Sequence, residues 1–272
     1  RWLTIPGCGS GSLKGAVRVV MMNESLIIFS RAWAVTAALA VLLAPAYSRP
    51  VTPVYGLTQL ARLLREQPRT PVALGLHPHE HVADLYRLQP LLAGRPVLFV
   101  GRCFYWTDYK LPEWLGLEQY GFCSWDTMQD PFSRRMALRC FRQQRPAGGN
   151  DGNDAFTGAD IFIPFLSAMP EKQILERANL WLYRELSACG LTGYEIRVLS
   201  LMTEGGKGDM PSRVRSLHKN NGLYRLGMTG HLINLYRGVK VRPELQAGLP
   251  VRAGESKTAG REIILPFRQE VV

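Results

Sequence analysis

The run His77-Pro78-His79-Glu80-His81 sets three imidazoles at alternate positions directly behind an apolar segment, Pro71–Leu76. Alternating histidines at the end of a parallel strand can aim two ring nitrogens at one ion, as metal-assisted hydrolases require. Such a site needs further His or Asp ligands downstream. The later histidines are His218 and His231, both inside a basic C-terminal segment, and no Asp follows Glu80 directly. The run therefore reads first as a solvated loop. Metal-dependent hydrolysis through His77, His79 and His81 is the alternative. Gly205-Gly206-Lys207-Gly208 lacks the spacing and the following Ser or Thr of a phosphate loop, and there is no Gly-x-Ser-x-Gly elbow.

The second group of residues that could do chemistry is basic. The chain carries a formal charge of +11, which favours an anionic partner, and nucleic acid is the commonest. The surplus is concentrated. Between Lys207 and Arg242 lie eight Lys and Arg residues against one acid, Asp209, a local charge of +7. Arg outnumbers Lys there, and Arg suits phosphate and guanine better. A solvated charged face is the competing reading.

The five cysteines, Cys8, Cys103, Cys123, Cys140 and Cys189, form no CxxC pair. Neither a disulfide framework nor a zinc cluster is implied, and reduced thiols in a cytoplasmic chain are expected. Leu26–Ala46 has the apolar character of an export signal. Glu24 stands where a basic region belongs, however, Ser30-Arg31 interrupts the run, and Ala32–Ala46 is short for a bilayer. Residues 1–21 read as a poorly ordered leader.

The elements that would position these groups alternate. Ser25–Ser30, Val51–Tyr55, Pro71–Leu76, Pro96–Gly101 and Tyr120–Trp125 are short apolar or β-rich runs. Ala32–Leu43, Leu57–Glu66 and Val82–Leu92 have helical spacing. Such alternation implies βαβ units and a parallel sheet. Arg145–Gly158 is a linker by composition, and its aspartates lack the spacing and closing Glu of a calcium loop. Ile161–Leu166 is a short apolar run. Glu171–Cys189 follows as a helix with Ile174, Leu175, Ala178, Leu182 and Leu186 on one side.

Leu191-Thr192-Gly193-Tyr194-Glu195 then opens a further helix, with Thr192 and Glu195 spaced as a capping box. Ile196, Leu199 and Met202 form its stripe. A last helix is expected from Ser212 to about Tyr224, with Ser212 as its cap. It presents Arg213, Ser216, Lys219 and Asn220 along one side. A major groove admits such a helix: Arg and Lys bond guanine, Asn bonds adenine, and the rest hold phosphate.

These segments resemble the LuxR/NarL-type (GerE-like) helix-turn-helix family. Its opening pattern matches Leu191, Thr192, Glu195, Val198, Leu199 and Gly205. Its recognition segment matches His218, Asn221, Arg225, Leu226, Gly227 and Met228. Two departures stand out. The family has a scanning helix where this chain has only Gly206-Lys207-Gly208-Asp209-Met210-Pro211, and Gly222 replaces a core Ile. The resemblance implies DNA contacts from Arg213, Arg215, Ser216, His218, Lys219, Asn220 and Arg225. It puts Lys219 and Arg225 mainly on phosphate, and Arg213 or Ser216 nearer the bases.

The family often places a phospho-receiver first, and Ser25–Trp125 resembles a degenerate one. Phe29-Ser30-Arg31 replaces the acids after the first strand. Val72–His77 holds no Asp, Gly101 stands for Thr or Ser, and Tyr120–Trp125 has no Lys. The expected protein is thus a bacterial, cytoplasmic, sequence-specific transcriptional regulator rather than an enzyme. It acts on double-stranded DNA as a homodimer or heterodimer, without cofactor, metal, membrane or control by aspartyl phosphate. The expected fold is an α/β receiver-like domain with a parallel sheet (22–145), a linker (146–160), an all-α helix-turn-helix domain (161–250) and a tail (251–272).

Overall fold

The computed structural model describes residues 25–47, 49–143, 169–204, 206, 209–226 and 238–247. The leader, the linker, the 161–166 run, Gly205, Gly227, Met228, His231 and the tail lie outside the described residues.

Five short strands form one fully parallel sheet: β1 (Leu26–Phe29), β2 (Val51–Val54), β3 (Val72–Leu74), β4 (Val97–Gly101) and β5 (Tyr120–Ser124), in the order β2-β1-β3-β4-β5. This is the doubly wound, receiver-like order, with its reversal between β1 and β3. The strands are continuous apolar runs because both faces are covered. Successive residues alternate between two cores. Ile27, Phe29, Val72, Leu74, Val97 and Phe99 meet α2 (Leu57–Glu66) and α3 (Val82–Leu92). Leu26, Ile28, Ala73, Leu98 and Val100 meet α1 (Trp33–Leu43) and, beyond β5, α6 (Pro131–Gln143). Each buried Leu, Ile or Phe contributes about 1.5–3 kcal/mol, so the interior strands hold the domain together. Pro53 sits in β2 at the sheet edge, the place where a missing N–H is tolerated.

Two further helices complete this half, α4 (Trp106–Trp114) and α5 (Trp125–Gln129). Arg95 ties the connection after α2: its guanidinium donates to the carbonyls of Leu64 (2.7 Å), Gln67 (3.1 Å) and Thr70 (3.3 Å). Burial pulls its pKa down to about 10, which leaves it charged at neutral pH.

The helical part begins with α7 (Glu171–Ala188), whose buried stripe is Ile174, Leu175, Ala178, Leu182 and Leu186, as the spacing predicts. It does not stand apart from the sheet domain. Ile174, Leu175, Ala178 and Leu182 share a core with Val82, Ala83 and Leu111 of α3 and α4. α7 ends in a Schellman turn. Gly190 adopts a φ of +84°, the Leu191 N–H donates to the Leu186 carbonyl (3.2 Å), and the Gly190 N–H donates to that of Ser187 (2.9 Å). α8 (Gly193–Thr203) and α9 (Ser212–Arg225) follow. No helix lies between them among the described residues. Nor is any described helix long and apolar enough to cross a membrane. The export-like run at 26–46 is instead β1 and α1 of the core.

Candidate nucleic-acid interface

α8 starts on the expected capping box. The Glu195 N–H donates to Thr192 Oγ1 (3.3 Å), and the Thr192 N–H donates to Glu195 Oε2 (2.7 Å). Glu195 is only 2% exposed. Its other oxygen, Oε1, faces Arg225 Nε at 3.6 Å, and Arg225 also donates to the Gly190 carbonyl. One buried carboxylate therefore caps α8 and anchors the last turn of α9.

Two more contacts set the rotation of α9. Gly222 is buried against α8, and a Cβ there would lie 3.0 Å from Leu199 Cδ1 and 3.4 Å from Glu195 Cβ. His218 stacks on Tyr194, with ring centroids 5.6 Å apart and planes 19° from parallel. With no intervening helix among the described residues, α9 lies directly on α8, and a glycine at 222 permits that approach.

Pinning one face of α9 presents the other. Arg213, Ser216, Leu217, Asn220 and Tyr224 are exposed, at steps of three and four residues that keep them on one side of a helix. Leu217 is 57% and Tyr224 76% exposed. Arg215 and Lys219 are half-buried; Arg215, two turns before Gly222, lies on the packed side, and Lys219 on the flank.

The predicted contact residues thus separate. Arg213, Ser216 and Asn220 share the free face. Lys219 borders it, so the expected alignment of Lys219 with Arg213, Ser216 and Asn220 is corrected: Lys219 lies three residues before Gly222 and leans to the packed side, and Arg215, seven residues before Gly222, is on that side. Arg225 and His218 hold α9 in place. Ser212 is not the cap. Pro211 is, with extended backbone (φ −54°, ψ 140°) and a carbonyl that accepts from the Arg215 N–H at 3.0 Å. Leu217 and Tyr224 join the face without having been singled out by the sequence; their spacing from Arg213 and Asn220 was the available signal.

The histidine run departs further from expectation. It is not a solvated loop. Residues 78–80 form a 3-10 turn, and His79 and His81 are buried. The cause is Asp108, fully buried at the start of α4. Its Oδ1 accepts from the His79 N–H and from His79 Nδ1, both at 2.8 Å, and its Oδ2 accepts from the Tyr105 N–H at 2.8 Å. His77 Nδ1 pairs with Glu80 Oε2 at 3.3 Å. That bond raises the His77 pKa against the opposing effect of burial, and it holds Glu80 low. Among the described residues, no three His, Cys, Asp or Glu side chains gather as a metal ion would need.

The carboxyl edge of the sheet, where doubly wound folds bind ligands, is packed shut at its reversal point. Ser30 Oγ donates to the Gly75 carbonyl (2.8 Å), and a Cβ at Gly75 would meet Val35 Cγ1 at 2.7 Å. At Gly101, where a receiver carries Thr or Ser, a Cβ would lie 2.7 Å from His77 Nε2. His77 fills the space that the glycine leaves.

The segment 238–247 then joins the two halves. Gln246 Nε2 donates to the His79 carbonyl (2.8 Å), and Gln246 Oε1 accepts from the Val82 N–H (3.2 Å). The Ala247 N–H donates to the Glu80 carbonyl (3.0 Å). The Asn179 side chain bonds both backbone groups of Val241, at 2.8 and 3.0 Å. Arg242 donates to the Thr203 carbonyl at the end of α8 (2.9 Å), and Lys240 pairs with Glu204. A continuous set of bonds thus runs from the histidine turn to the helix that carries α9.

No known protein family matches the sequence, and no curated protein is similar to it. Among solved structures, full-length FixJ from B. japonicum is similar at 13% identity, covering 80% of this chain and 96% of that one, with a TM-score of 0.33.

Proposed function

We propose that the chain is a transcriptional regulator that binds double-stranded DNA through α9, behind a receiver-like α/β unit that aspartyl phosphate does not switch. The observation that carries this reading is the division of α9. One face is fixed to α8 through Gly222, His218 and Arg225. The other offers Arg213, Ser216 and Asn220 to solvent, within the segment that holds more than half of the surplus charge. A helix held by one side and bearing Arg, Ser and Asn on the other suits a major groove. The basic excess around it suits phosphate. The closed carboxyl edge, with its acids Glu80 and Asp108 committed to histidines, supports a role in interaction rather than phosphotransfer or other catalysis. The protein works in the cytoplasm as a homodimer or heterodimer, one α9 to each half-site.

The test is a gel shift against random duplex DNA at two salt concentrations. The expected result is a shift at low salt that weakens steeply at the higher one. A folded protein that shifts no duplex at low salt contradicts the proposal.

A further inference from the structure

The free face of α9 is graded, and the gradation bears on which DNA it would recognise. Its centre holds short or apolar side chains, Ser216, Leu217 and Asn220, all exposed. Its flank holds the longer Lys219, half-buried. In a groove the centre of a helix meets base edges, and only long side chains on its flanks reach the phosphates on either side. Ser and Asn at the centre are too short for phosphate in that pose. Asn pairs with both N6 and N7 of adenine, and an aliphatic side chain fits the thymine methyl. Arg213 lies two turns before Asn220, about 10 Å along the axis, and its side chain is matched to O6 and N7 of guanine. That separation is roughly three base-pair steps of about 3.4 Å.

We infer that α9 is a base-reading helix whose residues divide the work. Asn220 reads an adenine, Arg213 reads a guanine about three base pairs away, Leu217 packs on a thymine methyl between them, and Lys219 holds phosphate. This rests on the DNA-binding reading above and adds its sequence preference. The binding energy is shared unequally. Lys219 supplies affinity for every duplex, and Asn220 supplies discrimination.

The experiment is selection from a random duplex pool with the full chain, followed by titration of the selected site with Asn220→Ala, Arg213→Ala and Lys219→Ala proteins. Asn220 and Arg213 are exposed, so folding should survive; circular dichroism checks it, and Asn220→Ser serves as a second variant at that position. The expected site contains a guanine and an adenine about three steps apart. Asn220→Ala should weaken binding to that site by roughly five- to a hundred-fold while leaving non-specific binding and its salt slope unchanged. Replacing the adenine pair should cost the wild type as much, and the variant nothing further. Lys219→Ala should weaken all duplexes alike and flatten the salt slope by about one unit. If the Asn220→Ala protein selects the same site with the same affinity, the assignment of bases is wrong while DNA binding stands. If the wild type binds duplexes with no preference, α9 is not a base reader. If it binds no duplex at low salt, both this inference and the reading beneath it fail.

Discussion

Glu195 and Arg225 meet at 3.6 Å across the joint of α8 and α9, the carboxylate buried and the guanidinium half-exposed. The pair makes Arg225 a structural residue first. Removing it leaves a buried acid without its cation, which costs more than the pair itself is worth. Arg225→Ala should therefore lower stability by about 1–2 kcal/mol, read as a lower urea midpoint with an unchanged slope. Glu195→Gln with Arg225→Ala should cost less than the sum of the two single changes. An unaltered midpoint in Arg225→Ala would mean that the arginine is held only loosely and is available to phosphate.

Gly222 sets the distance between the same two helices. A side chain there must displace Leu199, which is fully buried. Gly222→Val should destabilise by about 1–3 kcal/mol through overpacking. Gly222→Ala should cost less, because the methyl meets the movable end of Leu199 at 3.0 Å. Thermal unfolding of the two variants checks the order.

His77 and Glu80 stabilise each other most when both are charged. The His77 pKa is raised, so its contribution is complete below its ordinary value of about 6.5 and fades as pH climbs through the folded value. The Glu80 pKa is lowered, so its contribution is present above its ordinary value of about 4.3 and is lost as pH falls through the folded one. The pair therefore acts in mildly acidic solution. His77→Ala should lower the melting temperature more at about pH 5.5 than at about pH 8. Equal losses at both would show that the ring matters only by filling the space beside Gly101.

The sheet edge has no phosphoacceptor in the expected place: Leu74-Gly75-Leu76-His77 occupies the end of β3. Acetyl phosphate should leave the mass unchanged. A labile gain of one phosphate would contradict this.

What the sequence disclosed follows from where the information lies. β1, β3 and β4 were legible because strands buried on both faces are continuous apolar runs, and α2 and α3 because their Leu spacing matches one helical face. α7 and the Thr192–Glu195 box were legible for similarly local reasons. α6 was not legible, because Arg134, Arg135 and Arg139 interrupt its apolar pattern. Its signal was Asp130-Pro131, where Asp130 Oδ2 accepts from the Ser133 N–H at 2.6 Å. The burial of His79 was hidden because its partner Asp108 lies 29 residues away on α4, a helix whose spacing does not announce it. The rotation of α9 was hidden for the same kind of reason. It depends on Gly222 meeting Leu199, a contact across two helices, and periodicity in one helix carries no trace of it.

α9 is proposed to hold DNA through its exposed face and the basic residues beside it. The most direct measurement is binding of the Arg213→Ala/Arg215→Ala/Lys219→Ala protein to duplex DNA across a salt series, beside the wild type, with folding confirmed by circular dichroism. The expected result is roughly a tenfold or greater loss of affinity at low salt and a salt slope shallower by about one unit for each phosphate contact removed. A folded triple variant with wild-type affinity and wild-type salt dependence would contradict it.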